Sequence, residues 1–196
     1  LDFAVTPAVL IPRHDTEVLV TAAVERASMA RTVLDIGVGS GCIAVALAKQ
    51  LPAARVWGVE QSAAALALAQ ENATRLGVEV TLFEGSLFEP FPGERFDLIV
   101  SNPPYIPSAD LDSLQPEVRD FEPRAALDGG ADGLAFYRQI VPEAPAHLDP
   151  GGWLMVEVGI GQAEAVTALF ASAGFRDIFT AKDPSLIDRV VGGRLL

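Results

Sequence analysis

The sequence holds a single cysteine, Cys42, among 196 residues. One thiol closes no internal disulfide, so the fold must rest on a packed core, and the usage fits a reducing, cytoplasmic setting. Cations are scarce too: 14 Lys and Arg stand against 26 Asp and Glu, a net charge of -12. Proteins grip nucleic acid largely through cations that displace counterions from phosphates. An acidic balance works against that unless a basic patch is segregated on one face. No such run occurs here, because Arg119, Arg124 and Arg138 are interleaved with Asp120, Glu122, Asp128 and Asp132. The charge tilts the substrate class toward protein or small molecule. No apolar run reaches the roughly 18 to 20 uncharged residues of a membrane helix, and no basic leader precedes an apolar stretch. Neither His14 nor His147 has a partner at metal-ligand spacing, so both read as surface or packing residues and no metal site is expected.

What is present is ordinary globular composition, with 50% hydrophobic and 20% charged residues, enough for one good-sized domain. Short β-rich apolar segments alternate with alanine-rich ones of helical period. Strands are expected at 32–36, 55–59, 78–84, 96–101, 153–158, 175–180 and 189–196. Helices are expected at 16–27, 42–50, 62–76, 134–147 and 161–173. Residues 102–133, rich in Pro, Asp and Gly, read as a long functional loop with one short helix. The alternation predicts an α/β fold: a doubly wound, mainly parallel seven-stranded sheet with an antiparallel strand near the C-terminus. Ligands bind such sheets beyond the carboxyl ends of the strands.

The first strand runs through Asp35 into Gly37-Val38-Gly39-Ser40-Gly41 and then directly into a helix. Glycines at alternate positions let bare backbone approach a ligand, although glycine loops also end strands for purely structural reasons. The second strand ends in Glu60, followed by Gln61, where a carboxylate can accept both ribose hydroxyls of a nucleoside. A dinucleotide fold would show Gly-x-Gly-x-x-Gly and a helix N-terminus for pyrophosphate. Here the third glycine comes one residue early. Asp35 at the entrance would repel a pyrophosphate and suits the cationic amino-acid end of S-adenosylmethionine, directly or through water. After the third strand, Ser86 and Leu87 fall where an adenine ring would border the sheet, although Leu87 and Phe88 read equally well as core packing.

The fourth strand ends in Ser101-Asn102-Pro103-Pro104-Tyr105. Asn-Pro is common turn chemistry, but two prolines also leave a stiff stretch with free carbonyl groups and no competing donors. A planar NH2 group needs two such acceptors, and the Asn102 side-chain oxygen and the Pro103 carbonyl are the candidates. Tyr105 would lie against the flat amide or ring. Catalysis would come from orientation and polarisation in a dry site.

At these residues the chain resembles class I methyltransferases of the Asn-Pro-Pro-Tyr type, and more narrowly the N5-glutamine methyltransferases of release factors. Val9-Leu10-Ile11-Pro12-Arg13 with Asp15-Thr16-Glu17 matches the family's segment before the core. Phe121-Glu122-Pro123-Arg124, Leu127-Asp128-Gly129-Gly130 with Asp132-Gly133-Leu134, Phe136-Tyr137-Arg138, and Glu157-Val158-Gly159 with Gln162 match later segments. The resemblance implies that S-adenosylmethionine is bound and left as S-adenosylhomocysteine, with Gly37, Gly39, Gly41, Glu60, Leu87 and Asn102 contacting the cofactor or its surroundings; Asp35, Val38, Ser40, Gln61 and Ser86 are expected to complete that site. It implies that Asn102, Pro103, Pro104 and Tyr105 form the catalytic and substrate-binding tetrad, holding the glutamine of a Gly-Gly-Gln loop in class 1 release factors. Ribosomal-protein glutamine methylation and N6-adenine methylation of nucleic acid are the alternatives. Arg13, Asp15 and Glu17 either wall the cofactor pocket, as the family match favours, or cap the first helix. His14 stands where the family usually has proline. Residues 1–15 are expected to be a hairpin or linker from an upstream helical domain, and 16–196 the methyltransferase domain.

Overall fold

The computed structural model describes residues 1–196. Helix α1 (Thr16–Arg26) leads to β1 (Thr32–Ile36), α2 (Cys42–Gln50), β2 (Arg55–Glu60), α3 (Ala63–Arg75), β3 (Thr81–Glu84) and β4 (Phe96–Ser101). After a long loop come the one-turn α4 (Pro116–Arg119), then α5 (Tyr137–Glu143), β5 (Leu148–Glu157), α6 (Ala163–Ser172), β6 (Arg176–Lys182) and β7 (Asp188–Arg194). Seven strands form one sheet in the order β3-β2-β1-β4-β5-β7-β6. β1 to β5 pair in parallel, and β7 alone runs antiparallel to its neighbours β5 and β6. The expected fold class is therefore the observed one. No helix is long and apolar enough to cross a membrane.

Period-two alternation sends neighbouring strand residues to opposite faces, and both faces are covered. Val33, Leu98, Val100 and Met155 pack with α1 and α2 residues such as Leu19 and Leu47. Leu34, Ile36, Ile99, Leu154 and Val156 pack with Ile140 and Phe170 of α5 and α6 on the other side. Truncating any of the fully buried leucines to alanine would cost about 2–5 kcal/mol.

Local chemistry explains the element boundaries. The Ser62 hydroxyl accepts the Ala65 N–H at 3.2 Å and caps α3. At its other end Gly77 (φ +69°) closes a Schellman motif, with Val78 N–H donating to Ala73 O at 3.0 Å. Three expectations needed correction. β3 begins at Thr81, because this edge strand exists only where β2 offers pairing partners, from Trp57 onward. The helix expected over 134–147 is regular only through Glu143 and continues as a 3-10 turn, Ala144–His147. Pro142 and Pro145 remove the N–H groups that a continuous α-helix requires. The loop after β4 carries three short helical turns, at Ser108–Ser113, Pro116–Arg119 and Arg124–Ala126.

Residues 1–15 form no helix or strand. They run across α3, where Asn72 Oδ1 accepts from Ala4 N at 2.8 Å and its Nδ2 donates to Ala4 O at 3.0 Å. Val9 is buried against Ala65 and Leu68.

Candidate active site

The chain reverses its winding direction between β1 and β4, the adjacent strands at the centre of the sheet. Loops leaving such a switch point diverge and open a crevice at the carboxyl edge. A cavity of about 540 Å³ lies there, within the usual range for small-ligand sites. Its floor is the loop from Gly37 to Ser40, which follows β1. One wall comes from Glu60, Gln61 and Ser62 after β2, with Gly85 and Leu87 after β3. Opposite stand Asn102, Pro103 and Pro104 after β4.

Gly41 adopts φ +83° and packs so closely on α3 that an added Cβ would lie 3.3 Å from Ala69. That contact lets α2 start directly beneath the loop. Gly41 offers no side chain to cap the helix. Asp35 supplies the acceptor instead: its Oδ2 accepts the Ala44 N–H at 3.1 Å in the first turn of α2. Asp35 is therefore turned beneath α2, behind the glycine loop, and does not form part of the cavity wall. Its other oxygen has no hydrogen-bond partner. Burial pushes its carboxyl up to about 7 against the lowering effect of the Ala44 bond, with Glu60 adding to the rise.

Glu60 does face the cavity. Its Oε2 accepts from Gly39 N at 3.2 Å and its Oε1 from Ser62 N at 3.0 Å, so the carboxylate also braces the glycine loop. Gln61 Nε2 donates to Ser86 Oγ at 2.9 Å across the rim, and Ser86 itself stands just outside the wall. Leu87 holds a left-handed backbone, φ +49°, which is costly for a leucine and presses it into the cavity edge.

Ser101 Oγ donates to Ile36 O at 2.8 Å and locks the end of β4 to β1. Asn102 lines the cavity, and its Nδ2 donates to Thr16 Oγ1 at 3.3 Å, while its Oδ1 has no partner within the chain. Tyr105 is the tetrad member outside the wall. Its ring lies over Gly159, and its carbonyl accepts from Gln162 Nε2 at 2.8 Å. Burial first, and then the nearby Glu157, push its phenol up to about 12, so it stays neutral.

The segment before α1 corrects the expected pocket wall. Pro12 and Thr16 line the cavity, whereas Arg13, Asp15 and Glu17 do not. Arg13 reaches out to Glu122 Oε1 at 2.6 Å, and Asp15 pairs with Arg189 at 2.8 Å. Glu17 sits in the first turn of α1, where an acid is favourable. His14 is fully exposed, and His147 stacks on Phe88 at 4.5 Å as a packing residue. The sequence reading missed Ala125, Asp128 and Phe136 as wall residues. Their signal was there: Ala125 directly follows Phe-Glu-Pro-Arg, Asp128 lies within Leu-Asp-Gly-Gly, and Phe136 opens Phe-Tyr-Arg.

Residues 14–114 match the family model described as "Methyltransferase small domain". The chain is 73% identical, over its whole length and 69% of the relative's, to the release factor glutamine methyltransferase of Geobacter sulfurreducens. The chain belongs to the release factor glutamine methyltransferases. Among solved structures, this methyltransferase is 34% identical to a release factor-specific protein-(glutamine-N5) methyltransferase from Alicyclobacillus acidocaldarius, at TM-score 0.60 over 98% of this chain and 99% of that one. The T. thermophilus 16S rRNA methyltransferase solved with AdoMet and guanosine shares the fold alone: 22% identity, TM-score 0.70, over 95% of this chain and 44% of that one.

The buried acids of this methyltransferase give its stability a pH dependence. Asp35 rises from 3.8 to about 7, and Glu157 from 4.5 to about 7, each chiefly through burial. Between those limits the folded chain binds more protons than the unfolded one, so stability falls as pH rises. Urea unfolding should show a clearly lower midpoint at pH 8 than at pH 5, and Asp35→Asn should flatten the difference. A midpoint that rises between pH 5 and pH 8 would contradict the assignment.

Proposed function

We propose that this chain transfers a methyl group from S-adenosylmethionine to the side-chain amide nitrogen of the glutamine in the Gly-Gly-Gln motif of class 1 peptide chain release factors. The observation that carries the reading is the Asn102 amide, tethered through Nδ2 to Thr16 and placed with Pro103 on a cavity wall that also holds Glu60. The residues present suit the cofactor. The bare backbone from Gly37 to Gly39 accommodates the amino-acid end, the Glu60 carboxylate accepts from ribose hydroxyls, and Leu87 borders the adenine ring. Gly41, Ser40, Val38, Asp35, Gln61 and Ser86 shape and brace these surfaces.

When bound, S-adenosylmethionine supplies an electrophilic methyl group on a sulfonium. Asn102 Oδ1 and the Pro103 carbonyl each accept one N–H of the target amide, which aims the nitrogen lone pair along the line of transfer. Pro104 holds that stretch rigid and offers no donor to compete. Methyl transfer would leave a surplus proton on the target nitrogen, which would depart to water, so these residues need supply no separate general base. An amide lone pair is delocalised and weakly nucleophilic, and accepting both N–H bonds raises its electron density where the charge develops. Tyr105, stacked over Gly159, buttresses the loop and would reach a glutamine side chain only by turning toward the cavity. The net charge of -12 favours a protein over a nucleic-acid substrate. Residues 1–15 serve as the link to an upstream helical domain while also walling the cavity, and 16–196 form the catalytic domain.

Incubation with S-adenosylmethionine and unmethylated release factor, with a DNA duplex and ribosomal protein as competing substrates, tests the reading. Mass spectrometry should place the methyl group on the Gly-Gly-Gln glutamine. Transfer only to DNA or to ribosomal protein would overturn it. Glu60→Ala should weaken S-adenosylmethionine binding about 10- to 100-fold in calorimetry, the usual range for losing a charged hydrogen bond. Unchanged affinity would remove Glu60 from the ribose role.

A further inference from the structure

Glu157, the last residue of β5, is 2% exposed, and its Oε2 has no hydrogen-bond partner. A carboxyl group this deep in a sheet carries a desolvation cost that a valine or leucine would avoid. No salt bridge offsets that cost: Arg189, the cation that acts on Glu157, is committed to Asp15 at 2.8 Å and Asp183 at 2.7 Å. The parallel register that pairs Ser101 of β4 with Val156 of β5 brings the next residues, Asn102 and Glu157, side by side, and the Glu157 carboxyl lies near the Thr16 hydroxyl and the Asn102 amide. Those two are themselves joined, Asn102 Nδ2 donating to Thr16 Oγ1 at 3.3 Å. We infer, on the strength of the amide-clamp reading above, that Glu157 is a positioning residue for methyl transfer, holding Asn102 with Nδ2 inward and Oδ1 toward the target amide.

An Asn side chain presents an acceptor on one side and two donors on the other, and the wrong rotation would point NH2 at the substrate's own NH2. A hydroxyl both accepts and donates. With Glu157 ionised, which can only accept, Thr16 must donate to Glu157 and accept from Asn102, and the amide is fixed in the productive sense. With Glu157 protonated, the carboxyl can donate to Thr16, whose hydrogen is then free to satisfy Asn102 Oδ1, and the amide can turn over. The ionised form is therefore the productive one. Burial raises the Glu157 carboxyl to about 7, so the two forms exchange near neutral pH. Asp15 before α1 pushes in the same direction, and Arg189 of β7 opposes it. The other titratable groups around it are Tyr105 of the catalytic loop, Tyr137 of α5 and Cys42 of α2. All three have pKa values raised by burial and stay neutral through this range.

Nitrogen-15 NMR of the Asn102 side-chain NH2, identified by its loss in Asn102→Asp, tests this without turnover. In the unsubstituted chain the Asn102 signals should shift with pH through the neutral range, and in Glu157→Gln they should not. Signals that ignore pH, or that titrate equally in Glu157→Gln, would overturn the proposal. In methyl transfer to release factor, Glu157→Gln should lower kcat at least about tenfold, the scale of a small misplacement of a reacting group. It should also abolish the fall of kcat below pH 7 and leave KM for S-adenosylmethionine little changed. Glu157→Asp, which keeps the charge, should recover part of kcat and the acid limb, and equal loss in both variants would reduce Glu157 to a packing role. Should Glu157→Gln fail to fold, the titration of the unsubstituted chain and the Glu157→Asp profile decide. A titrating Asn102 in a chain that methylates some other substrate would overturn only the release-factor reading. Methylated release factor with a silent Asn102 would overturn only the role of Glu157.

Discussion

Asn102→Ala is expected to lower turnover about 10²- to 10³-fold, the usual cost of removing one preorganised polar contact from a reacting centre, while S-adenosylmethionine affinity stays within a few-fold. The division follows from where the side chain sits. Asn102 occupies the wall after β4, across from Glu60 and the glycine loop, and in the proposed clamp its Oδ1 would meet the target amide while most of the cofactor contact area would lie elsewhere. Loss of the side chain also frees Thr16 Oγ1 from its 3.3 Å partner. The Pro103 carbonyl remains, so one of two acceptors survives and residual activity above background should persist. Single-turnover rates with release factor, together with calorimetry for the cofactor, separate the two effects. Near-full activity in the variant would sink the amide clamp, and a parallel collapse of cofactor affinity would show that Asn102 acts through the cofactor site.

The second large effect is expected at a residue that touches no substrate. Gly133 lies in the loop after the catalytic segment with φ +76°, and a Cβ placed there would come 2.3 Å from Tyr105 O and 2.5 Å from Gln162 Nε2. The first of these is backbone and cannot swing aside. The same glutamine donates to Tyr105 O at 2.8 Å and to Gly133 O at 3.3 Å, so one side chain clamps both loops. Ile106 N donates to Leu127 O at 3.0 Å and Gly129 N to Ile106 O at 2.8 Å, tying them together a second time. Gly133→Ala must therefore push the Asn102 to Tyr105 stretch out of place. A displacement of about 1 Å costs on the order of 10²-fold in rate. Cofactor affinity should change far less, because the glycine loop and Glu60 belong to β1 and β2. Activity within a few-fold of the unsubstituted chain would mean that the loop after Tyr105 yields freely, and that the clamp geometry does not depend on it.

These two cases divide what was legible in the sequence from what was not. β1 and β4 were read residue for residue, since a short buried apolar run between turn signals is a local pattern. The glycine loop, Glu60 and the Asn-Pro-Pro stretch were legible for the same reason: each carries its chemistry in adjacent residues, and the α/β alternation places them at one edge of the sheet. Asp35 was identified as important but given the wrong surroundings. Its charge suggested a ligand, whereas the helix start beneath which it folds takes its oxygen as a hydrogen-bond acceptor in the absence of a capping side chain. Likewise Arg13 and Asp15 found ion-pair partners in Glu122 and Arg189, far along the chain, and left Pro12 and Thr16 to line the cavity.

The sequence by itself determined the order of elements, the crossover that opens the crevice, and which residue types stand at its rim. Hydrophobic period, proline and glycine act over a few residues and do not need the rest of the chain. Only the tertiary structure decided that Thr16 meets Asn102 across 86 residues of sequence, that Glu157 lies buried behind them, and that Gly133 presses on Tyr105. Such contacts are set by close packing of side chains brought together from different elements. Their hydrogen-bond directions depend on partners that no local pattern specifies, so the cavity-lining Asn102, Pro103 and Pro104 could be named from the sequence while what holds them in register could not.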